Sequence, residues 1–180
     1  MSNMELRLSG SGGQGVIMAT IILADCALRS GKNVAQSQSY GPEARGGMCK
    51  AEVLISDDVI GFTKVMNPTF LMCLTSQSLE NFTKTIDENC IVLYDSSLTL
   101  PQNIKSKNVY SAPILKSAKE VVGKSFTANI VAISVINKIL NIATDDIVKE
   151  VVGEYIPNGT EEINFKALRV GKEIEIIKVV

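Results

Sequence analysis

The segment that most constrains this chain is Gly10–Gly15, with the sequence GSGGQG, which joins two apolar segments of different character. The preceding segment, Glu5–Ser9, alternates apolar and polar residues and predicts a strand. Val16–Leu28 is too long for a strand and predicts a helix closed by Gly31. Between a strand and a helix, glycines let the backbone come close to a ligand, and the free N–H groups of the first helical turn attract an anion. The sequence therefore predicts an anion site, typically for a diphosphate.

The spacing of Gly10, Gly12 and Gly15 also matches the glycine fingerprint of dinucleotide-binding folds. That fingerprint requires an acidic residue about 20 positions further on, at the end of the second strand. The predicted second strand, Asn33–Ser37, ends without a carboxylate, and Asp25 lies inside the predicted helix. These observations weaken a nicotinamide interpretation. The alternative to any ligand is structural, because glycines also let a helix pack closely on a sheet.

Composition excludes several classes of function. A length of 180 residues predicts one domain over residues 1–180, and a formal net charge of −1 gives no electrostatic basis for binding nucleic acid or an anionic membrane. The chain has no histidine, the commonest general base and metal ligand. An enzyme working alone is not excluded, but it would have to rely on carboxylates, lysine or tyrosine, and we expect no metal site here. The N-terminus lacks signal-peptide features, and we expect a soluble, cytoplasmic protein.

The cysteines do not form a recognisable metal-binding pattern. Cys26, Cys49, Cys73 and Cys90 are scattered without a Cys-x-x-Cys pair. Iron–sulfur clusters and zinc sites normally use closely spaced cysteine pairs. We therefore predict four buried free thiols.

Strands alternating with helices predict an α/β fold, a three-layer α/β/α domain with a largely parallel or a mixed sheet and a helical C-terminal part. Further strands are predicted at Lys50–Ser56, Thr69–Thr75, Cys90–Asp95 and Asn108–Ala112. Further helices are predicted from a cap at Ser76 to Glu88, at Ile114–Val122, Ser125–Leu140 and Asp145–Val152, and from Thr160 to Gly171. For the apolar tail Ile174–Val180, an edge strand, an extended helix and docking on a partner are all open.

A second informative stretch is the loop Gln38–Gly47, which follows the second strand. In an open α/β sheet this loop is expected beside the glycine-rich turn, at the carboxyl ends of the strands. Arg45 lies between small residues, where its planar guanidinium can reach a phosphate or a carboxylate. Tyr40 offers a stacking face and a hydroxyl. The alternative is a surface ion pair between Glu43 and Arg45, worth less than about 1 kcal/mol.

Taken together, these stretches resemble the gamma subunit of 2-oxoacid:ferredoxin oxidoreductases. The resemblance rests on Gly10–Val16, on Gln38–Gly47 and on the strand Glu52–Ser56, and it runs over nearly the whole chain. The sequence SYGPEARGG at residues 39–47 is similar to the motif of the 2-oxoglutarate branch, whereas the pyruvate branch more often has Phe-Gly and a doubled arginine at the matching place. Branched-chain 2-oxoacid enzymes remain open as well. The tail after Gly171 departs from the family pattern.

The resemblance implies a subunit of an oxidoreductase that converts a 2-oxoacid and coenzyme A to an acyl-CoA. It implies partner alpha, beta and ferredoxin-like delta subunits, which carry thiamine diphosphate, Mg and the iron–sulfur clusters, with ferredoxin as the electron acceptor. This chain would complete the complex without carrying the redox chemistry. Its own candidate role is to shape the entry for coenzyme A or to form the interface on which the thiamine-binding subunits pack against each other.

The residues expected to contact a cofactor come from both stretches: Gly10, Gly12, Gly13, Gln14, Gly15, Ser39, Tyr40, Arg45, Gly46 and Gly47. Two other interpretations of these residues stay open. One is a stand-alone dinucleotide-dependent oxidoreductase, and the other is an assembly protein whose glycine-rich loops bind nothing small.

Overall fold

The structure of the chain is a computed structural model that describes residues 3–40 and 47–180, with Tyr40 described by its backbone. The strands are Met4–Ser11 (β1), Asn33–Tyr40 (β2), Met48–Ser56 (β3), Phe70–Cys73 (β4), Ile91–Asp95 (β5), Asn108–Ala112 (β6) and Ile177–Lys178 (β7). The α-helices are Val16–Arg29 (α1), Ser76–Phe82 (α2), Ile114–Lys116 (α3), Ala128–Leu140 (α4), Asp145–Tyr155 (α5) and Glu161–Glu173 (α6).

In the described residues the strands form one mixed sheet in the order β2-β3-β1-β4-β5-β6-β7. Its centre is parallel, because β1, β4, β5 and β6 pair in the same direction. Three further pairings, β2 with β3, β3 with β1 and β6 with β7, are antiparallel. The prediction of an α/β fold is therefore confirmed with the mixed form of the sheet, since a hairpin and a C-terminal strand flank the parallel centre.

The chain leaves β1 and β4 in opposite directions. From β1 it runs through α1 to the β2–β3 hairpin on one side, and from β4 it runs through α2 to β5 on the other. In open α/β sheets, ligands bind in the crevice at the carboxyl ends of two strands related in this way. The end of β1, where the glycine-rich turn lies, is one wall of that crevice.

Two apolar cores lie on opposite faces of the sheet, as the three-layer prediction requires. The larger core packs α1, α3 and α4–α6 against alternate residues of the strands, among them Leu6, Leu8 and Met72. The smaller core joins Leu71 and Val92 to α2 and to the segment between β5 and β6. Because the central strands are covered on both faces, they read in the sequence as continuous apolar runs.

Several predicted helix boundaries are wrong in detail. Thr75, rather than Ser76, caps α2, because its hydroxyl accepts the Ser78 N–H at 3.3 Å. This helix ends at Phe82 and passes into a short 3₁₀ turn, instead of continuing to Glu88. The helix predicted to start at Ser125 begins with a 3₁₀ turn and becomes α-helical at Ala128.

The helix predicted at Ile114–Val122 has these bounds, and it starts as an α-helix and continues as a π-helix from Ser117 to Val122. The last two helices run on past the residues predicted to end them. The third C-terminal helix reaches Tyr155 instead of Val152. The last helix continues through Gly171, its predicted end, to Glu173. The tail then contributes β7, which makes the edge-strand alternative the correct one.

Candidate functional site

The glycine-rich turn is shorter than predicted, because β1 runs through Gly10 to Ser11. The chain then turns over Gly12–Gly15 and enters α1 at Val16. Gly13 has a φ of 96° and Gly15 a φ of 70°, in the left-handed region that residues with a Cβ rarely adopt. Glycine at these two positions is thus what lets the backbone turn from strand to helix over four residues.

The Gln14 side chain folds back over the turn. Its Oε1 accepts a hydrogen bond from the Ser11 N–H at 2.7 Å, and its Nε2 lies 3.5 Å from the carbonyl oxygen of Leu74, at the end of β4. A Cβ on Gly10 would overlap the same Oε1 atom. Gly10 is therefore needed for close packing, and Gln14 spans the crevice between the ends of β1 and β4.

Asn129, in the first turn of α4, packs against the third glycine of the motif. A Cβ built on Gly15 would lie 2.7 Å from Asn129 Nδ2 and 2.9 Å from Asn129 Cβ. This residue was not among the sequence candidates. No local pattern identifies it, because 114 positions separate it from Gly15. Gly10 and Gly15 thus have the close-packing role that the structural alternative assigned to them.

The start of α1 has the electrostatic character of an anion site. Gly15 occupies the N-cap position, no side chain caps the helix, and its first turn contains no acidic residue. The partial positive charge of the helix N-terminus is therefore not neutralised by a carboxylate of the helix itself. Gly12 and Gly13 are exposed, so a ligand can reach the turn from solvent.

Of the described residues in the second predicted stretch, Gly47 contacts this turn. The N–H of Gly12 donates to the carbonyl oxygen of Gly47 at 3.2 Å, which holds the two segments together as the sequence predicted. Ser39 and Tyr40 belong to β2 instead of a loop, and Ser39 lies two strands away from β1, about 10 Å by strand spacing. Arg45 and Gly46 lie outside the described residues.

The topology is unlike that expected for dinucleotide binding at this turn. In the doubly wound dinucleotide fold, the second strand is the neighbour of the first. Here β3 lies between β1 and β2, so the end of β2 is displaced by one strand from the position that holds a ribose. From Asn33 to Tyr40, β2 also contains no carboxylate.

The four cysteines are free and buried, as predicted. Burial raises the pKa of the Cys26, Cys73 and Cys90 thiols to about 12, and it also raises the pKa of Cys49. These thiols are therefore protonated and unreactive near neutral pH. Within residues 3–40 and 47–180, no three His, Cys, Asp or Glu side chains are grouped to hold a metal ion, and no helix is long and apolar enough to cross a membrane.

Comparisons with known proteins place this chain in a family. The chain is 39% identical over 173 residues to the 2-oxoglutarate synthase subunit KorC of Methanocaldococcus jannaschii, covering 94% of this chain and 92% of the relative. It is 26% identical to the pyruvate synthase subunit PorC of Methanothermobacter thermautotrophicus, covering 98% of each chain.

A solved relative has the same fold. It is the gamma subunit of a keto/oxoacid ferredoxin oxidoreductase from Geobacter sulfurreducens, with a TM-score of 0.83 and 34% identity over 96% of each chain. The resemblance to gamma subunits of 2-oxoacid:ferredoxin oxidoreductases is thereby confirmed. Residues 5–174 match the family model described as pyruvate ferredoxin/flavodoxin oxidoreductase, and this chain belongs to that family.

Proposed function

We propose that this chain is the gamma subunit of a 2-oxoglutarate:ferredoxin oxidoreductase. The observation that carries the proposal is the 39% identity to a 2-oxoglutarate synthase subunit, over nearly the full length of both chains. The lower identity of 26% to a pyruvate synthase subunit of similar coverage favours the 2-oxoglutarate branch. The whole of residues 1–180 would then be one gamma-type domain.

In this proposal the alpha, beta and delta subunits carry the redox chemistry. Thiamine diphosphate with Mg would supply the decarboxylation chemistry there, and iron–sulfur clusters would carry to ferredoxin the two electrons that are released when the decarboxylated fragment is oxidised to the acyl group of acyl-CoA. This chain contributes no catalytic residue. Its described thiols are buried, and no carboxylate lies in the glycine-rich turn.

The contribution of this chain is to hold the phosphates of coenzyme A. The uncapped start of α1 and the exposed Gly13 present backbone N–H groups, and the hydrogen bond from Gly12 holds Gly47, two residues after Arg45 in the sequence, at the same edge of the sheet. Backbone amides at a helix start and a guanidinium are both suited to a diphosphate. Coenzyme A fits this chemistry without requiring the missing ribose carboxylate.

Replacing Arg45 with alanine in the assembled enzyme tests the contact. Removing a charge-assisted hydrogen bond is worth about 1.5–3 kcal/mol, so the KM for coenzyme A should rise by about tenfold or more with little change in kcat. Arg45→Lys keeps the charge but lacks the planar guanidinium, so its KM for coenzyme A should lie between those of the wild type and Arg45→Ala. Lys84→Ala, an exposed cation beside α2, is the control. An unchanged KM for coenzyme A in Arg45→Ala would contradict the proposal that Arg45 binds the phosphates of coenzyme A.

A second candidate is a purely structural role at the subunit interface. It is favoured by the hydrogen bonds of the turn, because the N–H groups of Ser11, Gly12 and Gln14 all have acceptors within the chain. In that case Arg45→Ala would lower the yield of assembled enzyme while the KM for coenzyme A stays the same.

A further inference from the structure

A groove between α4, α5 and α6 combines an apolar floor with a positively charged rim. One part of it is a cleft of about 200 Å³, with Val148, Phe165 and Leu168 among its lining residues. The cleft joins a hollow of about 470 Å³ that extends toward Asn141 at the end of α4. The groove lies about 12 Å along α4 from Asn129, counted as eight residues of helix to Asn137, and therefore away from the glycine-rich turn.

The charges of this groove are unbalanced. Four cations, Lys138, Lys149, Arg169 and Lys172, face a single carboxylate, Asp145, among the lining residues. The groove therefore carries a local excess of three positive charges in a chain whose formal net charge is −1. Such segregation favours a negatively charged partner, whose approach the rim would steer.

Three of the four rim cations are held in position by contacts within the described residues. Lys149 Nζ lies 5.3 Å from the centre of the Phe165 ring, and Lys138 Nζ donates to the carbonyl oxygen of Lys172 at 2.9 Å. Lys172 pairs with Asp145. Arg169 makes no hydrogen bond or ion pair with any other residue in the described ranges. A partner would thus meet partly ordered cations, which lowers the entropy lost on binding.

The apolar cleft favours a protein side chain as its occupant. Its volume of about 200 Å³ accommodates one large apolar side chain, and it opens into a hollow of about 470 Å³ that is lined mainly by polar residues. Protein interfaces commonly contain such anchor residues in small pockets, surrounded by a polar rim. The apolar cleft, the polar hollow and the cationic rim are together the complement of an acidic protein segment with an apolar anchor.

We propose that the α4–α6 groove docks an acidic segment of another subunit of the oxidoreductase. One large apolar side chain of that segment fills the cleft over Phe165 and Leu168, and carboxylates on either side of it pair with Lys149, Arg169 and Lys172. The inference rests on the proposed function only in taking its partner from the same enzyme. Formation of the complex by the wild-type chain tests that premise separately.

The first test is lysine footprinting of the co-expressed, assembled enzyme and of this chain alone, with an acetylating reagent and mass spectrometry. We expect Lys149 and Lys172 to be labelled at least fivefold more slowly in the complex. Lys84 and Lys105, which are exposed on the opposite face of the sheet, should label at the same rate in both. Equal labelling of Lys149 and Lys172 in the two samples would overturn the proposal.

The second test is charge reversal. The double variant Lys149→Glu with Arg169→Glu should weaken the Kd for the purified remaining subunits at least tenfold at low salt, with a smaller loss at high salt because the rim attraction is screened. The matched control is Lys84→Glu with Lys105→Glu, which makes the same change in net charge elsewhere. Equal weakening by both variants, or by neither, contradicts docking in the groove. If the wild-type chain itself fails to assemble, the proposed function fails instead.

Discussion

The close approach of Asn129 to the glycine-rich turn predicts a specific difference between two glycine-to-alanine variants. Gly15→Ala places a Cβ 2.7 Å from Asn129 Nδ2 and 2.9 Å from Asn129 Cβ, while a Cβ on Gly13 meets nothing within 4 Å. Both residues have positive φ, so both variants incur the left-handed backbone strain of about 1–2 kcal/mol. Only Gly15→Ala adds an overlap, and overpacking of this kind typically costs about 1–3 kcal/mol.

We therefore expect the free energy of unfolding to fall by about 1–2 kcal/mol in Gly13→Ala and by about 2–5 kcal/mol in Gly15→Ala. Urea unfolding of the full chain, followed by circular dichroism, measures both. Rotation of the Asn129 side chain can move Nδ2 but leaves its Cβ in place, so Asn129→Ala should restore only part of the loss in the double variant. Equal destabilisation by the two glycine variants would refute the packing of α4 against the turn.

Three further predictions use the same assay. Gly171→Ala should lower the free energy of unfolding by at least about 1–3 kcal/mol, because its Cβ would lie 2.5 Å from the Val131 carbonyl oxygen. In Gly153→Ala the new Cβ meets only Phe165 at 3.6 Å, so helix propensity should raise the free energy of unfolding by up to about 1 kcal/mol. The opposite order would contradict the α4–α6 packing. Thr75→Ala removes the N-cap of α2 and should lower the free energy of unfolding by about 1 kcal/mol, while Ser76→Ala should change it little. A larger loss in Ser76→Ala would show that Ser76 is the cap. For Cys26 the pKa is about 12 in the folded chain and near 9.0 in the unfolded chain, so the thiol's contribution to stability is full below pH 9 and is lost between pH 9 and 12, where only the unfolded chain releases the proton. Cys26→Ala should therefore flatten the decline of the free energy of unfolding in this range by up to about 1.4 kcal/mol per pH unit. An unchanged slope would show that the thiol is not buried.

Local patterns in the sequence predicted the elements that local interactions determine. The order of strand, turn and helix around Gly10–Gly15 was predicted correctly, although the strand runs on to Ser11, because alternation, glycine content and an apolar helix stretch all lie within 25 residues. The buried strands at Phe70–Cys73 and Ile91–Asp95 were recognisable as apolar runs covered on both faces. The cap of α2 was predicted one residue too late, since Thr75 and Ser76 are adjacent and both residue types can cap a helix.

Long-range pairings were beyond the same patterns. Nothing in Asn33–Tyr40 indicates that β3 inserts between it and β1, because strand order depends on pairings among distant segments. For the same reason Asn129 was missed, since its contact with Gly15 depends on how α4 crosses the end of the sheet. The β7 pairing of Ile177–Lys178 involves only two residues, too few to distinguish an edge strand from a docking tail by sequence.

The most direct test of the proposed function is the substrate preference of the assembled enzyme. This chain would be co-expressed with the remaining subunits and purified through a tag on the chain. The coenzyme A-dependent reduction of ferredoxin would then be compared for 2-oxoglutarate, pyruvate and a branched-chain 2-oxoacid. We predict that the subunits co-purify and that kcat/KM is highest for 2-oxoglutarate, by at least about tenfold, which corresponds to about 1.4 kcal/mol of transition-state discrimination. A higher kcat/KM for pyruvate or the branched-chain acid would contradict the 2-oxoglutarate assignment.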